Sequence, residues 1–81
     1  MNMKVSDVDT YILRKWLKDH YTFLDTIDNI EFYNIKIGFS DDYMSLISFN
    51  AYTITELGPF TIKLQDYMLY LREFKINNLL N

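Results

Sequence analysis

The first third of the chain carries apolar residues at the spacing of a helix. At 100° per residue they fall within an arc of about 140°, with charged residues on the opposite side. The members of this arc are Val5, Ile12, Leu13, Trp16, Leu17, His20, Phe23, Leu24 and Ile27. Ser6 is a suitable N-cap, and Asp7 and Asp9 are favourable in a first helical turn. The pattern therefore predicts an amphipathic helix over residues 6–26.

From residue 30 the period of the pattern changes to two, which is typical of a half-buried strand. One side is predicted to carry Tyr33, Ile35, Ile37 and Phe39, and the other Phe32, Asn34, Lys36 and Gly38. A polar turn at residues 40–42 precedes a second strand over residues 43–54, which has apolar residues on both sides. Because long loops are uncommon in so short a chain, the two strands are expected to form an antiparallel hairpin.

Gly58-Pro59 is predicted to break the chain, and two interpretations of the following segment are open. Residues 60–65 alternate as a third strand would, whereas Phe60, Leu64, Tyr67, Met68, Leu71 and Phe74 would also share one face of a continuous helix. We favour a strand over 60–65 and a helix over 67–77 with Asp66 as N-cap, because an isolated hairpin is marginally stable in water. The expected fold is a single α+β domain over residues 1–81, α-β-β-β-α, with a three-stranded antiparallel sheet and both helices packed on one face.

The composition indicates a globular protein without a membrane partner. Hydrophobic residues make up 49% and charged residues 23% of the 81 positions. The longest charge-free stretch, residues 43–55, is too short and too polar to cross a bilayer, which needs about 20 apolar residues. Lys4, Asp7 and Asp9 interrupt any signal-peptide core, so we expect a cytoplasmic location.

The residues that could carry chemistry are few, and we expect no catalytic, cofactor or metal site. The absence of cysteine excludes thiolate chemistry, and two glycines exclude a glycine-rich phosphate cradle. The single histidine, His20, lies in the apolar arc and is interpreted as a structural residue at the margin of the core. Oxygen ligands for Ca²⁺ or Mg²⁺ could come from Asp25, Asp28, Glu31, Asp41 and Asp42, but these acids need not converge, and they suit a solvated helix end and turn equally well.

Charge is distributed unevenly around a net value of −3. Residues 19–66 hold eight acids and two lysines, giving −6. Direct nucleic-acid binding is not expected, because it relies on clustered Lys and Arg. The basic side of the first helix, with Arg14, Lys15 and Lys18 between Tyr11 and Tyr21, is interpreted as a solvated helix face.

Aromatic residues make up 17% of the chain, more than so thin a core is expected to shelter. Whichever face of the second strand meets the helices, either Met44, Leu46 and Tyr52 or Ile47 and Phe49 would remain to be covered. Since large exposed apolar patches usually mark interfaces, we predict a non-enzymatic protein–protein interaction module. The predicted binding residues are Asp25, Asp28, Glu31, Asp41, Asp42, Glu56, Tyr33, Tyr43 and Tyr52.

The expected partner is another protein, with a basic nucleic-acid-binding enzyme as the main candidate, because an acidic surface would be steered towards its channel and would exclude nucleic acid. Size and charge suggest an analogy, without any shared motif, to inhibitors that phages or mobile elements encode against host defence nucleases, such as anti-CRISPR proteins. The alternative is a homodimeric structural or assembly subunit in which the extra apolar strand face is the self-interface. The mass of the protein in solution separates the two hypotheses.

Overall fold

The chain runs from a helix through three strands to a second helix. A computed structural model describes residues 3–80, with side chains to residue 77. Its main elements are α1 (Thr10–His20), β1 (Glu31–Phe39), β2 (Ser45–Tyr52), β3 (Glu56–Lys63) and α2 (Leu64–Leu80). The strands are antiparallel in the order β1-β2-β3. The predicted α+β fold is confirmed.

Helix α1 is shorter than predicted at both ends. Asp9, not Ser6, is its N-cap, and its Oδ1 accepts a hydrogen bond from the Tyr11 N–H at 2.9 Å. Ser6 lies instead in a short 3-10 turn, Val5–Asp7. After His20 the chain leaves the helix and enters a second 3-10 turn, Thr22–Leu24. Part of the predicted arc is therefore lost: Leu24 is buried, but Phe23 is 64% exposed.

Strand β1 contains a bulge that overturns the predicted alternation. Asn34 has a positive φ of 54°, and the pairing with β2 shifts register between Tyr33 and Lys36. A bulge adds one residue and changes which side chains share a face. Phe32 therefore faces inward with Ile35, while Tyr33 turns to the opposite face.

The first hairpin forms as predicted, but its loop includes Tyr43, and β2 is shorter than the predicted strand over 43–54. The Ser40 N–H donates to the Met44 carbonyl at 2.9 Å, and the Tyr43 N–H donates to the Ser40 carbonyl at 2.9 Å. Tyr43 has φ 59°, as the last residue of such three-residue loops commonly does. Asp41 and Asp42 complete the loop, exposed to solvent.

The third strand and second helix each begin earlier than predicted. Strand β3 starts at Glu56, so Gly58 and Pro59 lie within it and do not break the chain; the peptide between them is cis. The pairing with β2 shifts register at this point, and β3 is an edge strand, where a residue without an N–H is tolerated. Helix α2 starts at Leu64, which places Asp66 in its first turn and not at the N-cap.

One hydrophobic core lies between the helices and one face of the sheet. Trp16 of α1 meets Phe49 of β2 edge to face, with ring centroids 6.1 Å apart. Tyr67 of α2 is fully buried, and its hydroxyl oxygen accepts a hydrogen bond from the Asp9 N–H at 2.8 Å. The buried residues are Ile12, Leu13, Trp16, Leu17, Leu24, Ile30, Ile47, Phe49, Ala51, Ile62 and Tyr67. Both helices therefore cover one face and leave the other, the outer face, to solvent.

Neither helix, over the stretch of chain that the structure describes, combines the length and the apolar character needed to cross a membrane.

Candidate interaction surface

The outer face of the sheet is mainly polar. Its centre carries Asn50 and Ser48 on β2, with Thr61 on β3 beside Ser48. Leu46 is half-buried towards one end, and Tyr52 is 44% exposed at the other. Ile47 and Phe49 face the helices, so Leu46 and Tyr52 are left on the outer face. The polar Ser48 and Asn50 separate them, so the outer face of β2 does not form a continuous apolar surface.

Four of the predicted binding residues meet at one end of this face, and we call them the Glu–Tyr patch. Glu31, Tyr52 and Glu56 lie opposite one another across β1, β2 and β3. Tyr33 completes the patch, and its hydroxyl donates to Glu56 Oε1 at 2.6 Å. This hydrogen bond, followed by burial and the charge of Glu56, raises the pKa of Tyr33 above its usual 10.0. The patch thus brings together two carboxylates and two tyrosine rings, with Tyr52 on the strand between Glu31 and Glu56.

The patch depends on the bulge in β1. Without the extra residue at Asn34, Tyr33 would face the helices and could not reach Glu56 across β2. The positive φ of Asn34 is a conformation that asparagine adopts more readily than most residues. An asparagine that interrupts an alternating pattern is therefore the sequence signal that could have indicated the bulge.

A second group of predicted residues lies at the opposite end of the strands. Asp41, Asp42 and Tyr43 form the β1–β2 loop, and Tyr43 is 88% exposed. Because β1 has nine residues and a strand rises about 3.3 Å per residue, this loop is about 25 Å from the Glu–Tyr patch along the sheet. The predicted acidic residues therefore do not form one strip.

The remaining two predicted residues lie outside both groups. Asp28 is exposed in the segment that leads into β1. Asp25 lines a pocket with the cationic side chains of α1, including Lys15 and Lys18. Among residues 3–80, no three acidic or histidine side chains come together in a way that could hold a metal ion.

Two lysines on the outer face are not among the binding residues predicted from the sequence. Lys36 pairs with Ser48, and Lys63 pairs with Leu46, so both lie towards the end away from the Glu–Tyr patch. The outer face is therefore acidic at one end and basic towards the other. The alternation puts Tyr33 and Lys36 on opposite faces; the bulge lies between them and places both on the outer face.

Within the sheet and its loops, the most exposed apolar side chains lie at the ends of the strands and not across the outer face. Phe39 is 73% exposed at the end of β1, next to the loop that carries Tyr43. Ile54 is 89% exposed in the connection between β2 and β3, at the end that carries the Glu–Tyr patch. These side chains could border an interface, but they do not form the continuous apolar surface expected from the composition.

The single histidine has a structural environment. His20 is exposed, its Nδ1 lies 2.9 Å from the Trp16 carbonyl oxygen, and its ring lies against the Trp16 indole with centroids 4.5 Å apart. A hydrogen bond to that carbonyl requires the proton to be on Nδ1. This arrangement agrees with a residue at the margin of the core.

Comparisons of the chain with protein-family models, with curated proteins and with solved structures find no match in any of the three.

Proposed function

We propose that this protein is a non-enzymatic interaction module that binds a basic surface of another protein through the Glu–Tyr patch. The observation that carries the proposal is the alignment of Glu31, Tyr52 and Glu56 across three strands, with Tyr33 hydrogen-bonded to Glu56. Tyrosine supplies contact area at a low entropic cost, and it is enriched in interfaces. A hydrogen-bonded sheet supports these side chains more rigidly than a loop would.

The chemistry of the patch favours a partner that is rich in Arg and Lys. Each carboxylate can accept charge-assisted hydrogen bonds, and each tyrosine ring offers a face to a guanidinium group. Surfaces of that kind bind the phosphates of nucleic acids. The proposed partner is therefore a nucleic-acid-binding enzyme, and the patch would inhibit it by occupying cationic sites that otherwise bind phosphate.

The experiment compares capture by two variants that carry the same change in charge. In one, Glu31→Lys and Glu56→Lys alter the patch; in the other, Asp41→Lys and Asp42→Lys alter the distant loop. Tagged proteins are used to capture partners from a nuclease-treated lysate of the source organism. We expect a protein that binds the unmodified chain and the loop variant, and that the patch variant does not bind.

Two further results decide the proposal. The captured protein should lose affinity for nucleic acid when the unmodified chain is added, and association should slow by at least about ten-fold in the patch variant at low salt. A captured protein that binds all three chains equally would refute the role of the patch. Capture without competition against nucleic acid would refute the inhibitory role.

A homodimer is the second candidate, and the charge distribution of the outer face favours it. If two copies packed their outer faces together with the strands reversed, β1 would lie over β1 and β3 over β3. Glu31 of one copy would then lie near Lys36 of the other, and Glu56 near Lys63. A two-fold interface requires this reciprocity. The polar character of the face, however, gives little apolar area to stabilise such a dimer.

Charge reversal separates the two candidates. In a homodimer, Lys63→Glu and Glu56→Lys should each weaken self-association, and combining them in one chain should restore it. In the interaction module, Lys63→Glu should leave partner binding unchanged or stronger, whereas Glu56→Lys should weaken it. Light scattering coupled to size-exclusion chromatography measures the first outcome, and the association rate with the captured partner measures the second.

A further inference from the structure

A cationic pocket lies on the side of α1 that faces away from the core. Its volume is about 400 Å³, and it is lined by Tyr11, Arg14, Lys15, Lys18, Asp19 and Asp25. The helical period places the first four of these residues on one side of α1, and the turn after the helix brings Asp25 to them. A space of this size is within the range of small-ligand sites, which runs from about 300 to about 1,000 Å³.

Arg14, which lines the pocket, has a donor that is unsatisfied in the structure. Its Nε is buried and finds no hydrogen-bond partner in the described part of the chain. A buried donor without a partner is unfavourable, because the group has lost its water without gaining a replacement. A guanidinium group fits the oxygens of a phosphate in a bidentate manner, and the ammonium groups of Lys15 and Lys18 can supply further charge.

The carboxylates of Asp19 and Asp25 add hydrogen-bond acceptors to the cationic pocket. Asp19 Oδ2 accepts a hydrogen bond from the Tyr70 hydroxyl of α2 at 2.9 Å, which fixes the carboxylate relative to both helices. Ionised carboxylates accept hydrogen bonds and do not donate them. Asp19 and Asp25 would therefore repel a second anionic group but could bind the hydroxyl groups of a ligand.

We propose that this pocket binds a small phosphate-bearing ligand that also carries hydroxyl groups, such as a sugar phosphate. Arg14, Lys15 and Lys18 bind the phosphate, and Asp19 and Asp25 accept hydrogen bonds from the hydroxyls. The pocket lies on the helix side of the molecule, whereas the Glu–Tyr patch lies on the outer face of the sheet. The failure of either proposal therefore leaves the other standing.

The test is a titration of the ¹⁵N-labelled protein with ribose 5-phosphate at low ionic strength, followed by amide chemical shifts. Ribose and inorganic phosphate serve as separate arms. We expect saturable shifts confined to residues 11–19 and Asp25, with ribose 5-phosphate bound more tightly than phosphate and ribose bound least. Absence of saturable shifts at millimolar concentrations would overturn the proposal, and equal affinity for phosphate and ribose 5-phosphate would overturn the assignment of the two aspartates.

Variants test which cations bind the phosphate. We expect Arg14→Gln alone, and Lys15→Gln with Lys18→Gln, each to weaken binding by at least about ten-fold. The matched control removes two positive charges from the outer face through Lys36→Gln and Lys63→Gln, and it should change affinity by less than about two-fold. An equal loss in the control would show a non-specific response to net charge and would refute the site. The amide spectrum of each variant establishes that it is folded, and the variant with Lys15→Gln and Lys18→Gln provides the test if Arg14→Gln does not fold.

Discussion

The bulge at Asn34 can be tested by substitutions that have opposite effects in a bulged and in a regular strand. Asn34 has φ 54°, in the left-handed region that a β-branched residue strongly disfavours. Asn34→Val should therefore reduce stability by about 1–2 kcal/mol, because valine pays the steric cost of that conformation without the local hydrogen bonding by which an asparagine side chain can offset it. Asn34→Gly should change stability by less than about 0.5 kcal/mol, because glycine adopts positive φ without strain but loses more entropy on folding.

A regular strand would give the reverse order. Valine is favoured in strands, on a scale that spans about 1 kcal/mol, and glycine costs roughly 0.5–1 kcal/mol in a strand interior. A total stability of about 4–12 kcal/mol, estimated from the 81 residues of the chain, makes these differences measurable. The sign of the valine effect thus distinguishes the two structures without relying on its size.

Urea denaturation provides the assay, followed by far-UV circular dichroism and by the fluorescence of Trp16. This residue is the single tryptophan of the chain and is buried, so its emission reports on the core. Lys36→Val is the matched control, because Lys36 is exposed and regularly paired with Ser48; it should change stability by no more than about 0.5 kcal/mol. If Asn34→Val stabilises the protein and Asn34→Gly destabilises it, β1 is not bulged and the Glu–Tyr patch does not form as described.

Three further predictions concern the core, β3 and alkaline stability. Phe49→Ala should reduce the free energy of unfolding by about 3–5 kcal/mol because its ring is fully buried. Phe39→Ala, at a 73% exposed site, should reduce it by no more than about 0.5 kcal/mol. Similar losses for the two variants in urea denaturation would contradict the placement of Phe49 on the face that meets the helices. Gly58→Ala should destabilise the protein by about 1–2 kcal/mol, since Gly58 has φ 101° and an added Cβ would lie 3.0 Å from the Phe60 ring. An unchanged temperature of thermal unfolding would refute this conformation. Burial, together with the hydrogen bond to the Asp19 carboxylate, raises the pKa of Tyr70 to about 12 from its usual 10.0, so its protonated form contributes stability that is full below pH 10 and is lost as pH rises towards about 12. The stability difference between the unmodified chain and Tyr70→Phe should therefore shrink over that interval in urea denaturation, and a constant difference would show that the hydrogen bond does not hold the proton.

Much of the fold is encoded locally. The apolar spacing of Ile12, Leu13, Trp16 and Leu17 predicts a helix that buries one face, and these four residues are buried in α1. Alternation and the polar turn predict the β1–β2 hairpin. These features could be predicted because backbone periodicity and turn chemistry act over a few neighbouring residues.

Predictions that involved a choice between local alternatives were less accurate. Both Ser6 and Asp9 can cap a helix, and the sequence does not show that the Asp9 N–H is bound by Tyr67, 58 residues further along the chain. Gly58-Pro59 resembles a chain break, but within the sheet it occupies an edge strand. In each case a distant contact or a position in the sheet decided between two locally acceptable structures.

In the candidate site too, some features could be predicted from the sequence and others depend on distant contacts. The sequence by itself determined that the chain has an acidic middle, an N-terminal amphipathic helix and a strand hairpin, because charge and periodicity are properties of consecutive residues. It left open whether residues 60–65 form a third strand or part of a helix. Only the tertiary structure decided that Glu31, Tyr33, Tyr52 and Glu56 meet, while Asp41 and Asp42 lie at the other end of the sheet. The physical reason is strand register: pairing brings together residues that are 23 positions apart, and one extra residue in β1 exchanges the faces of Phe32 and Tyr33.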